Sequence, residues 1–278
     1  MILRAAVLGA DVSKSRSPAI HNAAFRALGV EGEYGAFSVE ARQFRNMVRR
    51  LRLEGYRYLN VTIPHKTKAA DLADKQGPEV RVSGAANTLL FAKPQGAVRA
   101  ENTDGAGLIA ALGDLGLDVS DKTIVMVGAG GAAAGAIEAL TRAGARVRLV
   151  ARRPAVAEVL RRRLPAGRSK RVAVIGWGTE AALAHALEGA DALVSAIPAG
   201  AWAEPDARAG LESLARGAAV LEMAYGASTP LAEAVRARTR RYADGLGMLV
   251  HQAARAIELA LGEKPPLPPL FRAARGTP

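Results

Sequence analysis

The chain has 278 residues, a formal net charge of +12 and a hydrophobic share of 50%, which is enough length and apolar content for one large or two ordinary globular domains with well-filled cores. It has no cysteine, which excludes disulfides, a thiolate nucleophile and cysteine-ligated zinc; its four histidines are scattered without a close ligand pair, so no metal site is expected. No apolar run approaches the roughly 18 to 20 residues that span a bilayer, and Met1 to Gly9 reads as a strand rather than a signal peptide, so a cytoplasmic protein without membrane contact is expected.

Residues Arg4 to Gly9 form an apolar strand, and the polar loop Ser13-Lys-Ser-Arg-Ser-Pro18 ends in a helix start with Ser17 as N-cap, Pro18 as first helical residue and Gly29 as the stop. Capping accounts for Ser17. Ser15 has no such local reason, and two hydroxyls beside a helix N-terminus suit a polyol or a carboxylate. Glu33 to Val39 alternates as a strand, and Ala41 to Leu53 is an amphipathic helix with Arg42, Arg45, Arg49 and Arg52 on its outer side. Tyr58 to Ile63 is the next strand, and Pro64 opens a helix that puts Lys66 in its first turn. A cation there opposes the helix dipole by about 0.3 to 1 kcal/mol, so Lys66 either reaches away into water or is held by something beyond its own helix.

Gly84 to Phe91 and Ala97 to Glu101 read as two strands around a turn at Lys93-Pro-Gln-Gly96, and Asn102-Thr-Asp-Gly105 leads into a helix from Ala106 to Leu115. On one reading Asp104 is an N-cap and Asn87 ties its loop together. On the other, Lys66 and Asp104, each just past the C-terminal end of a strand, converge in the crevice where open α/β sheets bind ligands.

The stretch from Thr123 is a short apolar strand, then Gly128-Ala129-Gly130-Gly131-Ala132-Ala133, then an alanine-rich helix that ends at Gly144, then a second strand from Arg146 to Ala151. In this βαβ unit Gly128 makes the turn, Gly130 lets the backbone approach a pyrophosphate, and Ala133 is the small residue where helix packs on strand. The end of the second strand, where an NAD site carries an acid for the ribose hydroxyls, has Arg152 and Arg153 instead; two guanidinium groups suit a 2′-phosphate, so the reading is NADP. The basic run from Arg161 to Arg163, continued by Arg168, Lys170 and Arg171, follows a helix and lacks interleaved aromatics, so it reads as a solvated surface and no nucleic-acid partner is expected.

Arg171 to Ile175, Ala192 to Gly200 and Ala218 to Tyr225 are further strands, with a helix from Thr179 to Leu187, and this alternation argues a parallel sheet with helices on both faces. Asp244-Gly-Leu-Gly-Met-Leu-Val-His-Gln252 opens an apolar helix that ends at Gly262 before Pro265 and Pro266. Gln252 interrupts its apolar face, either as a residue at the edge of the stripe or as a donor and acceptor reaching the crevice of Lys66 and Asp104.

Six motifs in order, Ser13 to Pro18, Asn60-Val-Thr-Ile-Pro-His-Lys66, Gly84-Ala-Ala-Asn-Thr-Leu89, Asn102-Thr-Asp-Gly105, Gly128 to Ala133 and Asp244 to Gln252, resemble the shikimate dehydrogenase family from the first strand to the final helix. The resemblance implies a two-domain α/β protein: an N-terminal α/β substrate domain, discontinuous over 1–104 and 240–278, and a Rossmann-like, doubly wound parallel-sheet NADP domain over 105–239. It implies reversible NADPH-dependent reduction of 3-dehydroshikimate to shikimate, a step toward chorismate and the aromatic amino acids, by a monomer or homodimer. Carried over by position, Lys66 is the proton donor and acceptor and Asp104 its partner. Ser15, Ser17, Thr62, Asn87, Tyr225 and Gln252 contact the substrate, and Gly128, Ala129, Gly130, Gly131, Ala132, Arg152, Met223 and Gly245 contact NADP, with Arg153 added by the reading of the arginine pair. Two positions depart from the family. Its Asn-Arg-Thr is Ala151-Arg152-Arg153 here, and its Asn-Ala-Thr loop is Ser195-Ala196-Ile197. The rival readings are a quinate/shikimate dehydrogenase of broader specificity and a catalytically silent relative that senses ligand and NADP.

Overall fold

A computed structural model describes residues 2–93, 96–226 and 229–276. The chain divides into two compact units, one made of residues 1–107 and 249–278 and the other of residues 108–248. No helix among the described residues is long and apolar enough to cross a membrane.

In the first unit the order is β1 (Leu3–Gly9), α1 (Ser17–Ala27), β2 (Gly32–Ser38), α2 (Phe44–Leu53), β3 (Tyr56–Val61), α3 (Lys66–Asp71), β4 (Lys75–Gln76), α4 (Pro78–Ser83), β5 (Thr88–Phe91) and β6 (Val98–Glu101), after which α5 (Asp104–Asp114) carries the chain into the second unit. The sheet runs β2-β1-β3-β5-β6-β4. Strands β2, β1 and β3 are parallel, and β5 is antiparallel to both of its neighbours, so β6 points the same way as β1 and β3. One sheet edge therefore collects the C-terminal ends of β1, β3 and β6 and the N-terminal end of β5. Helix α2 shows why the sequence folds this way. Phe44, Val48 and Leu51, at spacings of four and three, bury against Leu8, Leu59 and Leu89 of the sheet, each side chain contributing about 1.5 to 3 kcal/mol.

Several expected boundaries shift for local physical reasons. Helix α1 begins at Ser17 itself, so Ser17 is not the N-cap and Pro18 is the second helical residue; the Ser15 hydroxyl accepts the Ser17 N–H at 3.2 Å, and Ser15 thus has the local role that the sequence did not suggest. Asp104 is likewise the first residue of α5 rather than its cap, and Asn102 Oδ1 accepts the Asp104 N–H at 3.0 Å. Helix α2 starts at Phe44 rather than Ala41, because residues 41–43 form a turn. Arg52 is half-buried and bonds the Gly96 carbonyl, unlike the exposed Arg42, Arg45 and Arg49. Strand β5 starts at Thr88, after a loop that follows the left-handed Gly84. At the turn after it, Pro94 and Gln95 lie outside the described residues.

The second unit holds β7 (Thr123–Val127), α6 (Gly131–Arg142), β8 (Arg146–Ala151), α7 (Pro154–Arg163), α8 (Ala166–Ser169), β9 (Val172–Gly176), α9 (Glu180–Leu187), β10 (Ala192–Ser195), α10 (Pro205–Arg208), β11 (Ala219–Glu222), α11 (Pro230–Val235) and β12 (Tyr242–Ala243). Every neighbouring pair in its sheet, β12-β11-β10-β7-β8-β9, is parallel. Counted from β7 as the first strand this is the dinucleotide-binding order 3-2-1-4-5-6, with its switch point between β7 and β10. The central strands are near-continuous runs of buried Val, Ile, Leu and Met, as strands covered on both sides must be. Strands β10 and β11 stop at Ser195 and Glu222, earlier than Gly200 and Tyr225, since Pro198 opens a 3₁₀ turn over Ala199–Ala203 and Met223 begins a loop.

The basic run is in part the solvated surface read from sequence, since Arg162, Arg163 and Lys170 are exposed, but Arg161, Arg168 and Arg171 are half-buried. Arg161 to Arg163 form the last turn of α7, with Arg161 and Arg162 on Glu158. Arg168 Nη1 lies 2.6 Å from the fully buried Glu138 carboxylate, and Arg171 donates to the Gly144 carbonyl at 2.6 Å. Helix α12 (Leu246–Leu261) returns the chain to the first unit, where α13 (Leu267–Arg275) lies against α1. The Asp244 carboxylate accepts the Leu246 N–H at 3.1 Å, so α12 starts two residues later than the motif suggested.

Candidate active site

On the collecting edge of the first sheet, Lys66 Nζ lies 2.5 Å from Asp104 Oδ2, with side-chain exposures of 15% and 3%. The sheet explains the pairing. Lys66 follows β3 and Asp104 follows β6, two strands that end on the same side, and the ion pair offsets the unfavourable placement of a cation in the first turn of α3. The second carboxylate oxygen accepts from Asn87 Nδ2 at 2.8 Å, and the same nitrogen lies 3.0 Å from Thr103 Oγ1 and 3.3 Å from Gln252 Oε1. Four residues singled out by sequence, Lys66, Asn87, Asp104 and Gln252, thus form one hydrogen-bonded group. Asn87 also ties its loop, because its Oδ1 accepts the Thr103 N–H at 2.9 Å.

Ser15, Ser17 and Thr62 come from the same edge, after β1 and β3. Because the Ser15 hydroxyl oxygen is an acceptor toward Ser17, its proton is left to donate outward. Thr62 is half-buried, and its Cγ2 stands 2.5 Å from where a Cβ on Gly9 would lie, so glycine at the end of β1 is required for the two loops to meet. Sequence reasoning missed Asn60, Thr88, Asn102 and Thr103, all bonded to this group or to the backbone that carries it. For Asn60 and Thr88 the signal was present as polar residues inside apolar strands, and for Asn102 and Thr103 as neighbours of Asp104 in the same loop.

In the second unit, Gly128 has φ of +110°, and a Cβ there would lie 2.9 Å from Ile197 Cγ2 and 3.1 Å from the Ala196 carbonyl, so both conformation and space demand glycine. Gly130 differs. Its backbone is extended, with φ −82° and ψ −175°, and a Cβ on it would meet nothing within 4 Å, so the protein itself has no need of glycine there. The space beside it is open to close approach by a ligand. Gly130 caps α6 without any side-chain bond, Ala129 is half-buried, and Gly131 and Ala132 present the first-turn N–H groups, a donor set that fits a diphosphate. Beyond β8, Arg152 and Arg153 are exposed, and neither guanidinium bonds or ion-pairs with any described residue. Two free guanidinium groups fit a phosphate on the ribose.

Met223 and Gly245 touch at the ends of β11 and β12: a Cβ on Gly245 would lie 2.1 Å from the Met223 carbonyl oxygen. Tyr225, two residues on, is 41% exposed. In the loop where the family has polar residues, Ser195 is fully buried and accepts from the Trp202 indole N–H at 2.8 Å, so its hydroxyl is used inside the unit, and Ile197 lies against the glycine turn.

Residues 7–89 match the family model of the shikimate dehydrogenase substrate binding domain, and residues 115–209 match an NAD(P)-binding family model. The chain is 38% identical over 274 residues to shikimate dehydrogenase (NADP(+)) of Dinoroseobacter shibae, covering 97% of this chain and 96% of that protein. It is 34% identical over 270 residues to the protein of the same name from Methanocella arvoryzae, covering 97% of each. Among solved structures, shikimate 5-dehydrogenase from Thermus thermophilus in complex with NADP(H) and shikimate superposes with a TM-score of 0.85 at 29% identity over 99% of both chains. Relatives of this identity along nearly the whole length, together with the Lys66–Asp104 edge and the glycine turn, show that the chain belongs to the shikimate dehydrogenase family.

Proposed function

We infer that this chain catalyses the reversible NADP-dependent interconversion of 3-dehydroshikimate and shikimate. The observation that carries the reading is the nearly buried Lys66–Asp104 pair, held by Asn87 at the sheet edge where α/β folds bind ligands, in a chain of this family. When bound at Gly128 to Ala132 with Arg152, Arg153, Met223 and Gly245, NADPH supplies a hydride to the ketone carbon. Lys66 gives the ketone oxygen its proton as the alkoxide develops and takes one back in the reverse direction. Asp104 orients the ammonium and bonds a ring hydroxyl, while Asn87, Gln252, Thr62 and Tyr225 contact the remaining substrate groups. Ser15, with its free proton, and Ser17 grip the carboxylate.

Chemistry at this site needs a proton donor where negative charge develops, and a paired ammonium meets that need. The intact pair favours an enzyme over a silent ligand sensor. The test is a steady-state assay of the purified protein with shikimate and with quinate, each against NADP and NAD. The expected result is the highest kcat/KM for shikimate with NADP; equal use of quinate would instead establish the broader enzyme, and no turnover of either acid would refute the reading. The proposal extends to a cytoplasmic enzyme acting as a monomer or homodimer, which cell fractionation and light scattering check.

A further inference from the structure

Strand β3 carries a half-buried polar side chain next to its C-terminal end. Asn60 lies between the buried Leu59 and Val61 in sequence, on the opposite face of the strand, and all its partners belong to the first unit. Its Oδ1 accepts from the Tyr34 hydroxyl at 2.8 Å, and its Nδ2 donates to Thr88 Oγ1 at 3.0 Å and to the Asn87 backbone carbonyl at 3.3 Å. Having accepted from Asn60, the fully buried Thr88 hydroxyl gives its own proton to Asn87 Oδ1 at 2.9 Å. Together with the Thr103 N–H, which Asn87 Oδ1 also accepts at 2.9 Å, that bond leaves only the nitrogen end of the Asn87 amide for Asp104 Oδ1, at 2.8 Å, and the other oxygen of Asp104 receives Lys66.

Each bond in this series fixes the direction of the next. At its start, burial holds the Tyr34 hydroxyl protonated, with its pKa well above the usual phenol range, so Tyr34 remains a donor at every working pH. At its end is a carboxylate, which only accepts. The sheet does not need these side chains for its own pairing, because Asn60 and Thr88 already face each other as backbone partners of β3 and β5.

We propose that Asn60, Thr88 and Tyr34 are positioning residues for the Lys66–Asp104 pair, and that they act with the Thr103 N–H to fix which end of the Asn87 amide faces Asp104. Were the amide reversed, its oxygen would confront the carboxylate at hydrogen-bond distance, and Asp104 would turn away and draw the Lys66 ammonium with it. The inference rests on the reading of Lys66 and Asp104 as the reacting pair.

The test compares Thr88→Val, which keeps the volume and removes the hydroxyl, with Thr88→Ser, which keeps the hydroxyl. Loss of one directing bond at about 1.4 kcal/mol predicts that Thr88→Val lowers kcat for shikimate oxidation about tenfold with KM for NADP unchanged, and that Thr88→Ser stays within about twofold of the parent. Full kcat in Thr88→Val, or an equal loss in Thr88→Ser, would overturn the proposal, since packing rather than the hydroxyl would then be responsible. Should Thr88→Val not fold, Tyr34→Phe decides: it removes one oxygen at the far end of the series and must still lower kcat at constant KM for NADP, and an unchanged kcat overturns the proposal. If the unmodified protein does not oxidise shikimate, the functional reading fails by itself. Positioning is then read in the ligand-free protein from the side-chain amide resonances of Asn87 in nitrogen-15 spectra, which shift in Thr88→Val (or Tyr34→Phe) and hold in Thr88→Ser; resonances unmoved by removal of the hydroxyl overturn it.

Discussion

His21 makes the first unit sensitive to acid, and the size of the effect follows from its surroundings. Its side chain is 1% exposed, its ring stacks on Tyr34 with centroids 4.0 Å apart, and Nδ1 lies 2.7 Å from the Tyr58 hydroxyl. Burial pushes its pKa down to about 3. In the unfolded chain the imidazole takes a proton near its ordinary pKa of about 6.5, whereas the native ring does not until about 3, so the unfolded state binds more protons throughout that window and stability falls as the pH falls. The slope is about 1.4 kcal/mol per pH unit, or about 2 kcal/mol between pH 7 and pH 5. Urea unfolding followed by far-UV circular dichroism at pH 7, 6 and 5, on the parent and on His21→Asn, isolates this contribution, because all other groups titrate in both proteins. The variant loses the ring stack and starts less stable at pH 7, but it should lose about 2 kcal/mol less on going to pH 5. Parallel stability profiles for the two proteins would refute the reasoning.

Lys66→Ala should lower kcat by about 10² to 10⁴-fold with a much smaller rise in KM, and a variant that keeps most of its kcat would remove Lys66 from the chemistry. Asp104→Asn should damage both constants, since it strips the ammonium of its counter-charge as well as a substrate contact; steady-state kinetics in both directions check it. Arg152→Ala should raise KM for NADP about 10 to 100-fold and leave activity with NAD nearly unchanged, whereas equal kcat/KM for the two cofactors in the unmodified protein would contradict the assignment of the arginine pair. Arg168→Ala leaves the buried Glu138 carboxylate with only Arg142, at 3.4 Å, and should destabilise the second unit by about 3 kcal/mol in denaturant titrations, a loss that adding Glu138→Leu should largely recover.

The glycine turn, the βαβ unit after it and the parallel sheet were legible in the sequence because they rest on local chemistry: a φ that only glycine tolerates at Gly128, a helix ended at Gly144, and strands apolar on both faces. Lys66 and Asp104 stood out for a related reason, since neither strand ends nor helix starts accounted for the lysine. Their meeting depends on β5 being antiparallel to its neighbours, which local pattern does not reveal. Helix starts were the weaker part. Ser17 and Asp104 both have the composition of a cap, yet the residue two positions earlier supplies the oxygen in each case, a choice made by backbone direction rather than residue type. Strand β4 and helix α4 went unread because six or fewer residues carry too little periodicity, and the role of Arg168 was hidden because Glu138 is thirty residues away.

The placement of Trp202, bonded to Ser195 inside the second unit, also decides what an optical experiment on this protein can see. Both tryptophans of the chain, Trp177 and Trp202, belong to the second unit, with ring centroids 5.7 Å apart, while the first unit holds Tyr34, Tyr56 and Tyr58 and no tryptophan. Indole emission is therefore a one-sided reporter: it follows the melting of the nucleotide-binding fold and is blind to the sheet that carries Lys66. If emission and far-UV dichroism change at different denaturant concentrations, the two units unfold as separate cooperative blocks, and the gap between the two midpoints measures how much more stable one is than the other.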